Sequence, residues 1–89
     1  MGAAFILLAF KKFSIVEEVF LHAKADDLSI NEVDGLRVST ADGWWLIRAS
    51  NTEAALVVRC ESENETGLRR LKKMVSGYLL RAGVVYTPS

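Results

Sequence analysis

The chain of 89 residues contains only one cysteine and one proline, and it has no excess of charge of either sign. A single cysteine, Cys60, excludes an internal disulfide and a cysteine-based zinc site, and it fits a reducing, cytoplasmic location. Eleven basic residues balance eleven acidic ones, so no long-range field favours nucleic acid or an anionic membrane. We therefore expect no nucleic-acid partner and no membrane partner, and any anion site must be local.

The sequence also lacks a hydrophobic run long enough to cross a membrane. The apolar opening AAFILLAF, residues 3–10, is far shorter than the roughly 20 residues that a spanning helix needs. Lys11 and Lys12 follow this run, whereas a signal peptide carries its basic residues before the apolar segment. So short a run does not separate strand from helix by its pattern, but its length favours a strand.

A helix is predicted from Ser14 to about residue 25. SIVE, residues 14–17, has the capping-box pattern. In this pattern the Ser14 side chain accepts from the backbone N–H of Glu17, and the glutamate side chain reaches back to the backbone N–H of Ser14. His22 has no cysteine or second histidine with which to share a metal, so we interpret it as a solvated helix position. The apolar positions that recur at helical spacing are Val16, Val19, Phe20 and Ala23.

Two Asp-Gly pairs, Asp34-Gly35 and Asp42-Gly43, lie between segments rich in β-branched and aromatic residues. Because Asp-Gly readily adopts the positive φ angles of tight hairpin turns, these pairs predict an antiparallel meander. Its strands are expected at about 29–33, 36–41, 44–49 and 54–61. Trp44 and Trp45 then face opposite sides of the sheet, one in the core and the other against a helix or a neighbouring domain.

A second helix is predicted after the last strand, with Ser62 and Glu65 forming another capping box. We expect the tail, residues 83–89, to be disordered. The order of strand, helix, antiparallel strands and helix predicts one α+β domain, 1–89, folded as a two-layer sandwich with a sheet of about four to five strands. The apolar stripe of the closing helix comprises Leu68, Leu71, Val75, Tyr78 and Leu79.

The polar stretch IRASNTEA, residues 47–54, joins two predicted strands. Arg48 can offer two parallel N–H bonds to a phosphate or carboxylate, and Ser50 and Thr52 add hydroxyl donors. Asn51 adds an amide and tolerates the left-handed backbone of an anion nest. The same residues are also ordinary turn formers, and Arg48 can simply pair with a carboxylate. From the residues alone, both interpretations remain open.

The run DGLRVSTADGWWLIRASNTEAALVVRCESENETGLRRL, residues 34–71, resembles the C-terminal domain of the phosphomannomutase/phosphoglucomutase group of α-D-phosphohexomutases. The resemblance implies a TATA-binding-protein-like sandwich and a phosphate-binding loop formed by Arg48, Ser50, Asn51 and Thr52. Relatives that act on glucosamine phosphate usually have glycine where this chain has Asn51, which favours mannose or glucose phosphate. The chain has Ala54 where the family commonly has proline.

By this resemblance, the full enzyme interconverts hexose 1-phosphate and hexose 6-phosphate. Its phosphoserine and its Mg²⁺ loop belong to three preceding domains, so this chain is expected to bind hexose phosphate through the phosphate alone. It carries no catalytic residue and no cofactor of its own, and it is not expected to be active alone. The competing hypothesis is a free-standing protein-interaction module in which the turn at 48–53 is purely structural.

Overall fold

A computed structural model describes residues 1–85 of the chain. The described part contains five strands and two helices. In chain order these are β1 (Gly2–Leu8), α1 (Lys12–Ala25), β2 (Ser29–Asn31), β3 (Leu36–Thr40), β4 (Gly43–Ala49), β5 (Ala55–Ser62) and α2 (Glu65–Arg81).

The five strands form one antiparallel sheet in the order β1-β5-β4-β3-β2. Both helices pack against one face of this sheet, and its other face is open. The predicted two-layer α+β sandwich is therefore confirmed, and the opening apolar run is a strand. β1 pairs with β5, the last strand along the chain, and this pairing places Phe5 beside Val58, where its partly buried side chain packs against the core.

The core lies between the helices and the covered face of the sheet. Trp45 is fully buried and its ring centroid lies 5.6 Å from that of Tyr78 on α2. Cys60 is also buried, and this burial raises the pKa of its thiol to about 11. All members of the predicted α2 stripe are buried, as the helical spacing indicates: Leu68, Leu71, Val75, Tyr78 and Leu79.

Both predicted capping boxes are wrong. α1 begins two residues early, at Lys12, and no side chain caps it, so Ser14 lies inside the first turn. The N-cap of α2 is Asn64, whose Oδ1 accepts from the Gly67 N–H at 2.7 Å. Ser62 remains in β5 because its amide donates to the carbonyl of Met1 at 2.8 Å, which extends the pairing with β1. Strand pairing thus moves the N-cap of α2 two residues along the chain, from the predicted Ser62 to Asn64.

The two Asp-Gly pairs both lie at chain reversals, but only one forms a tight turn. Thr40 pairs with Gly43 across β3 and β4, which leaves two residues between the strands. Pairing of β2 with β3 instead ends at Asn31 and Arg37, so the loop that contains Gly35 is longer than predicted. Gly35 still adopts the positive φ that an Asp-Gly pair favours, at 103°.

After α2, the amides of Gly83 and Val84 donate to the carbonyls of Leu80 and Leu79 at 2.9 and 2.8 Å. Gly83 has a φ of 85°, the left-handed conformation common after a helix. The expected disorder concerned residues 83–89, of which 86–89 lie outside the described residues. Within residues 1–85, neither helix is long and apolar enough to cross a membrane.

Candidate functional site

Three connections lie at one end of the sheet: β1 to α1, β2 to β3, and β4 to β5. The register requires this arrangement, since Leu8 pairs with Ala55 at the end of β1, and Leu36 pairs with Ile47 at the start of β3. The amide of Ala9 also donates to the carbonyl of Ala54 at 2.7 Å. The polar turn, which we call the 50–54 loop, is therefore surrounded by backbone from distant parts of the sequence.

Ser50 organises the 50–54 loop. Its amide donates to the carbonyl of Ala55 at 2.9 Å. Its Oγ accepts from the amides of Thr52 and Glu53 at 3.4 and 3.2 Å. A hydroxyl that accepts in this way still has its own proton to donate. The Ser50 side chain thus stabilises the turn, and its hydroxyl proton can still be donated to a ligand.

The left-handed conformation expected at Asn51 is not observed. Within residues 1–85, Asp27 is the only non-glycine residue with a positive φ. The Ser50 hydroxyl closes the turn instead, so Asn51 does not need the strained conformation. The side chains of Asn51 and Thr52 are exposed to solvent.

Two backbone donors of the 50–54 loop have no acceptor among residues 1–85. These are the N–H groups of Asn51 and Ala54, whereas those of Ser50, Thr52 and Glu53 donate within the loop or to β5. Backbone N–H groups without an internal acceptor bond to water or to a ligand. The donors that the loop can offer to an anion are therefore these two amides and the exposed side chains.

Arg48 lies near the end of β4 on the open face of the sheet, opposite Val57 of β5. Its side chain is exposed, and among residues 1–85 it makes no ion pair and no hydrogen bond. The alternative in which Arg48 pairs with Glu53 or a strand carboxylate is thus not observed. The guanidinium of Arg48, which has no carboxylate partner among these residues, is therefore available to bind a carboxylate or phosphate ligand.

Lys12 is the residue at this site that the sequence does not reveal. Its ammonium donates to the carbonyl of Ser50 and, at 2.8 Å, to that of Glu53. The nitrogen also lies 5.1 Å from the centre of the Phe13 ring. Because these carbonyls are 38 and 41 residues away in the chain, no local pattern indicates the contact. A second full positive charge therefore lies against the loop.

Trp44 lies on the open face, as the alternation with Trp45 predicted. Among residues 1–85, the guanidinium carbons of Arg37 and Arg59 lie 4.2 and 5.6 Å from its ring centre. At 4.2 Å, Arg37 stacks on the ring and would compete with a sugar or base for it.

Two other contacts between polar or charged side chains lie away from the loop. Arg70 makes two hydrogen bonds to Asp42, at 2.8 and 2.9 Å, and these bonds lower the pKa of that carboxyl. The half-buried His22 faces Arg81, whose nitrogen lies 3.3 Å from His22 Nδ1. Among residues 1–85, no three His, Cys, Asp or Glu side chains are grouped closely enough to bind a metal.

The sequence and the fold agree with one known family. A family model described as "Phosphoglucomutase/phosphomannomutase, C-terminal domain" matches residues 10–77, which include the whole 50–54 loop. The chain belongs to this family. The resemblance inferred from residues 34–71 is thereby confirmed.

Three comparisons show how far the similarity extends. A phosphomannomutase/phosphoglucomutase of Pseudomonas putida is 40% identical over 70 residues, which are 79% of this chain and 15% of that protein. A phosphoglucomutase of Neisseria gonorrhoeae is 37% identical over 65% of this chain and 13% of its own length. The crystal structure of a phosphoglucomutase/phosphomannomutase family protein from Burkholderia thailandensis has a TM-score of 0.79 at 27% identity, over 93% of this chain and 18% of that one.

The chain thus spans about a sixth of the length of the mutases that it matches. It corresponds to the C-terminal domain of these much longer proteins. A probable phosphoglucosamine mutase of Methanopyrus kandleri is also 42% identical over 62% of this chain. The names of the relatives therefore do not distinguish among the sugars.

Proposed function

We propose that Arg48 and the 50–54 loop bind the phosphate group of a hexose phosphate, as part of a phosphomannomutase/phosphoglucomutase. The observation that carries this proposal is the exposed guanidinium of Arg48, which has no partner among residues 1–85. Because Arg48 makes no bond to a carboxylate or carbonyl among residues 1–85, holding the fold does not engage its guanidinium. An arginine that binds a ligand has guanidinium N–H groups without a protein partner, and these can donate to the ligand.

The remaining donors suit an oxyanion. Ser50 and Thr52 contribute hydroxyls, Asn51 contributes its side-chain amide, and the N–H groups of Asn51 and Ala54 have no acceptor among the described residues. Lys12 adds positive charge behind the loop. None of these groups is a nucleophile with an adjacent base, so the site holds a phosphate and does not transfer it.

In this proposal the domain acts as a lid. In a mutase that exchanges phosphate between the 1- and 6-positions, the sugar must reverse its orientation during the reaction. The site formed by Arg48 and the 50–54 loop then binds the phosphate at one position in one orientation and at the other position in the reverse orientation. A site that recognises phosphate by charge and fork geometry serves both orientations. Closure of the lid over the substrate excludes water and retains the doubly phosphorylated sugar.

Several exposed apolar side chains fit contact with preceding domains of the same polypeptide. Phe10 and Phe13, beside the proposed site, are 82% and 72% exposed. Ile6 and Leu8 on the open face of β1 are equally exposed, at 72% and 78%. Large apolar side chains that are exposed near one another often mark an interface. The open face beside the site is therefore where we place the contact with the rest of the enzyme.

The phosphoserine and Mg²⁺ of the reaction belong, in this proposal, to the preceding domains. The residues described here do not fit a magnesium site, because their carboxylates are not grouped. No step of the reaction is therefore assigned to a metal bound by this chain. The chain by itself is expected to bind phosphate weakly and to convert no sugar phosphate.

A titration followed by nuclear magnetic resonance tests the proposal. Inorganic phosphate is added to the ¹⁵N-labelled chain at constant ionic strength, and glucose 1-phosphate is tested in parallel. The amides of residues 50–54 are expected to move first and to saturate, with those of Asn51 and Ala54 moving most. Shifts confined to the helices, with the 50–54 loop unmoved, would show that the turn is only structural.

A further inference from the structure

Lys12 connects the start of α1 to the 50–54 loop, and this connection bears directly on the proposed phosphate site. We infer that Lys12 is a positioning residue that orients the N–H groups of Asn51 and Ala54 toward the bound anion. The inference rests on the proposed function, since it assigns a role in binding the same phosphate.

Lys12 makes two bonds to the 50–54 loop. Its ammonium donates to the carbonyl oxygens of Ser50 and Glu53, which belong to the peptide groups just before Asn51 and Ala54. Every described peptide bond is trans. In a trans peptide the C=O and N–H of one group point in opposite directions. Drawing these two oxygens toward Lys12 therefore turns the N–H groups of Asn51 and Ala54 away from it.

Only two backbone amides of the 50–54 loop remain available to a ligand among the described residues. The N–H groups of Asn51 and Ala54 are the loop donors that have no acceptor among residues 1–85. Those of Thr52 and Glu53, whose preceding carbonyls Lys12 does not contact, donate to Ser50 Oγ. The amides that Lys12 orients are thus the same two that a ligand can reach.

The charge of Lys12 also strengthens these two donors. A positive charge at a carbonyl oxygen polarises the peptide group, so the N–H at its other end becomes a stronger donor to an anion. The ammonium has three donors and uses two of them on the loop. Lys12 acts on the anion through the peptide groups of the loop.

The chain provides a matched control on the same helix. Lys24, like Lys12, lies over a phenylalanine ring, with its nitrogen 5.8 Å from the centre of Phe20. It stands twelve residues later on α1, which is roughly 18 Å along the helix axis from Lys12. Lys24→Met thus removes the same charge and the same kind of ring contact without touching the loop.

The experiment compares the wild type with Lys12→Met, Lys12→Arg and Lys24→Met in the 89-residue chain, with inorganic phosphate as the probe. We expect Lys12→Met to weaken phosphate binding roughly threefold to tenfold, because the oriented amides lose their alignment. Without phosphate, its Asn51 and Ala54 amide resonances should already shift. Lys12→Arg should retain most of the affinity, since its fork can also donate to two carbonyls. Lys24→Met should match the wild type.

Three results would overturn the inference. The first is a Lys12→Met chain that binds phosphate within about twofold of the wild type, well below the effect of one charge-assisted bond. The second is an equal loss in Lys24→Met, which would reduce the effect to net charge. The third is a Lys12→Arg chain as weak as Lys12→Met, which would indicate general damage to the start of α1. A wild type that does not bind phosphate in the loop would instead refute the proposed function, and the inference would fall with it.

Discussion

Gly35 lies directly against the backbone of Arg48. A Cβ added to Gly35 would stand 3.1 Å from Arg48 Cβ and 2.8 Å from the carbonyl oxygen of Ile47. Gly35 also has a φ of 103°, which side chains rarely adopt. The loop between β2 and β3 thus packs closely against β4 at Arg48.

Gly35→Ala is expected to destabilise the chain and to displace Arg48. The strained φ and the contact with the Ile47 carbonyl should cost about 1–3 kcal/mol of unfolding free energy, measured by urea denaturation. Gly77→Ala is the control, because nothing lies within 4 Å of its added Cβ. That change in the middle of α2 should stabilise by about 0.5–1 kcal/mol. Equal stabilities for the two variants would contradict the close approach at Gly35.

Arg48→Ala is expected to weaken phosphate binding by the 50–54 loop roughly tenfold to a hundredfold, as the loss of a charge-assisted pair implies. Arg48→Lys should fall between the wild type and alanine, because it keeps the charge and loses the fork. The midpoint of thermal unfolding should barely change, since Arg48 has no partner within residues 1–85.

The control for Arg48 is Arg69→Ala, an exposed position on α2, whose N-terminus lies at the opposite end of the sheet. It removes the same charge far from the loop. Phosphate titrations at one ionic strength compare the variants. A similar loss of affinity in both alanine variants would mean that only net charge matters, and a large drop in the thermal midpoint of Arg48→Ala would indicate a structural role.

Asn64→Ala is expected to destabilise the chain by about 1 kcal/mol, because it removes the side chain that caps α2. Glu63→Ala is the neighbouring control, an exposed residue that caps nothing, and it should change stability by less than about 0.5 kcal/mol. Urea denaturation measures both. If the glutamate variant lost as much as the asparagine variant, the cap would not lie at Asn64.

Asp26→Asn is expected to lower the thermal midpoint at neutral pH and to leave it almost unchanged in strong acid. The Tyr78 hydroxyl donates to the Asp26 carboxylate, as does Arg81 at 2.9 Å, and these bonds lower the pKa of Asp26 below its ordinary value of 3.8. A carboxyl with a lowered folded pKa stabilises the fold above its ordinary pKa. This stabilisation is lost as the pH falls through the lowered value.

Thermal unfolding of Asp26→Asn between about pH 2 and pH 7 should therefore converge with the wild type at the acid end. Asp27→Asn is the control: Asp27 has a φ of 58°, a conformation that asparagine also tolerates, and it makes no ion pair among the described residues. A wild-type midpoint parallel to that of Asp26→Asn at every pH would show that the carboxylate contributes nothing.

Several features of this protein follow from local sequence patterns. The α2 stripe from Leu68 to Leu79 has one periodicity that fits only a helix with one buried face, and the structure confirms it. The chain reversals at both Asp-Gly pairs are equally local, because glycine is needed where φ becomes positive. Arg48, Ser50, Asn51 and Thr52 are nearly contiguous, so their proximity was predictable, while their binding of phosphate stays a prediction.

Other features depended on contacts between distant residues. Ser62 has the sequence pattern of a helix cap, yet pairing with Met1 keeps it in a strand and gives the cap to Asn64. No local rule relates Lys12 to the 50–54 loop, because the bonds exist only after α1 has packed beside the sheet. Local propensity depends on a few neighbouring residues and is compatible with several boundaries for a helix or strand. Strand pairing and helix packing involve the whole chain, and they decide which of these boundaries forms. The sequence by itself therefore determined which segments are helical, which are turns, and where the polar loop lies. Only the tertiary structure decided the boundaries of these segments. It also decided that the Arg48 guanidinium has no partner among residues 1–85 and that the Lys12 ammonium contacts the loop.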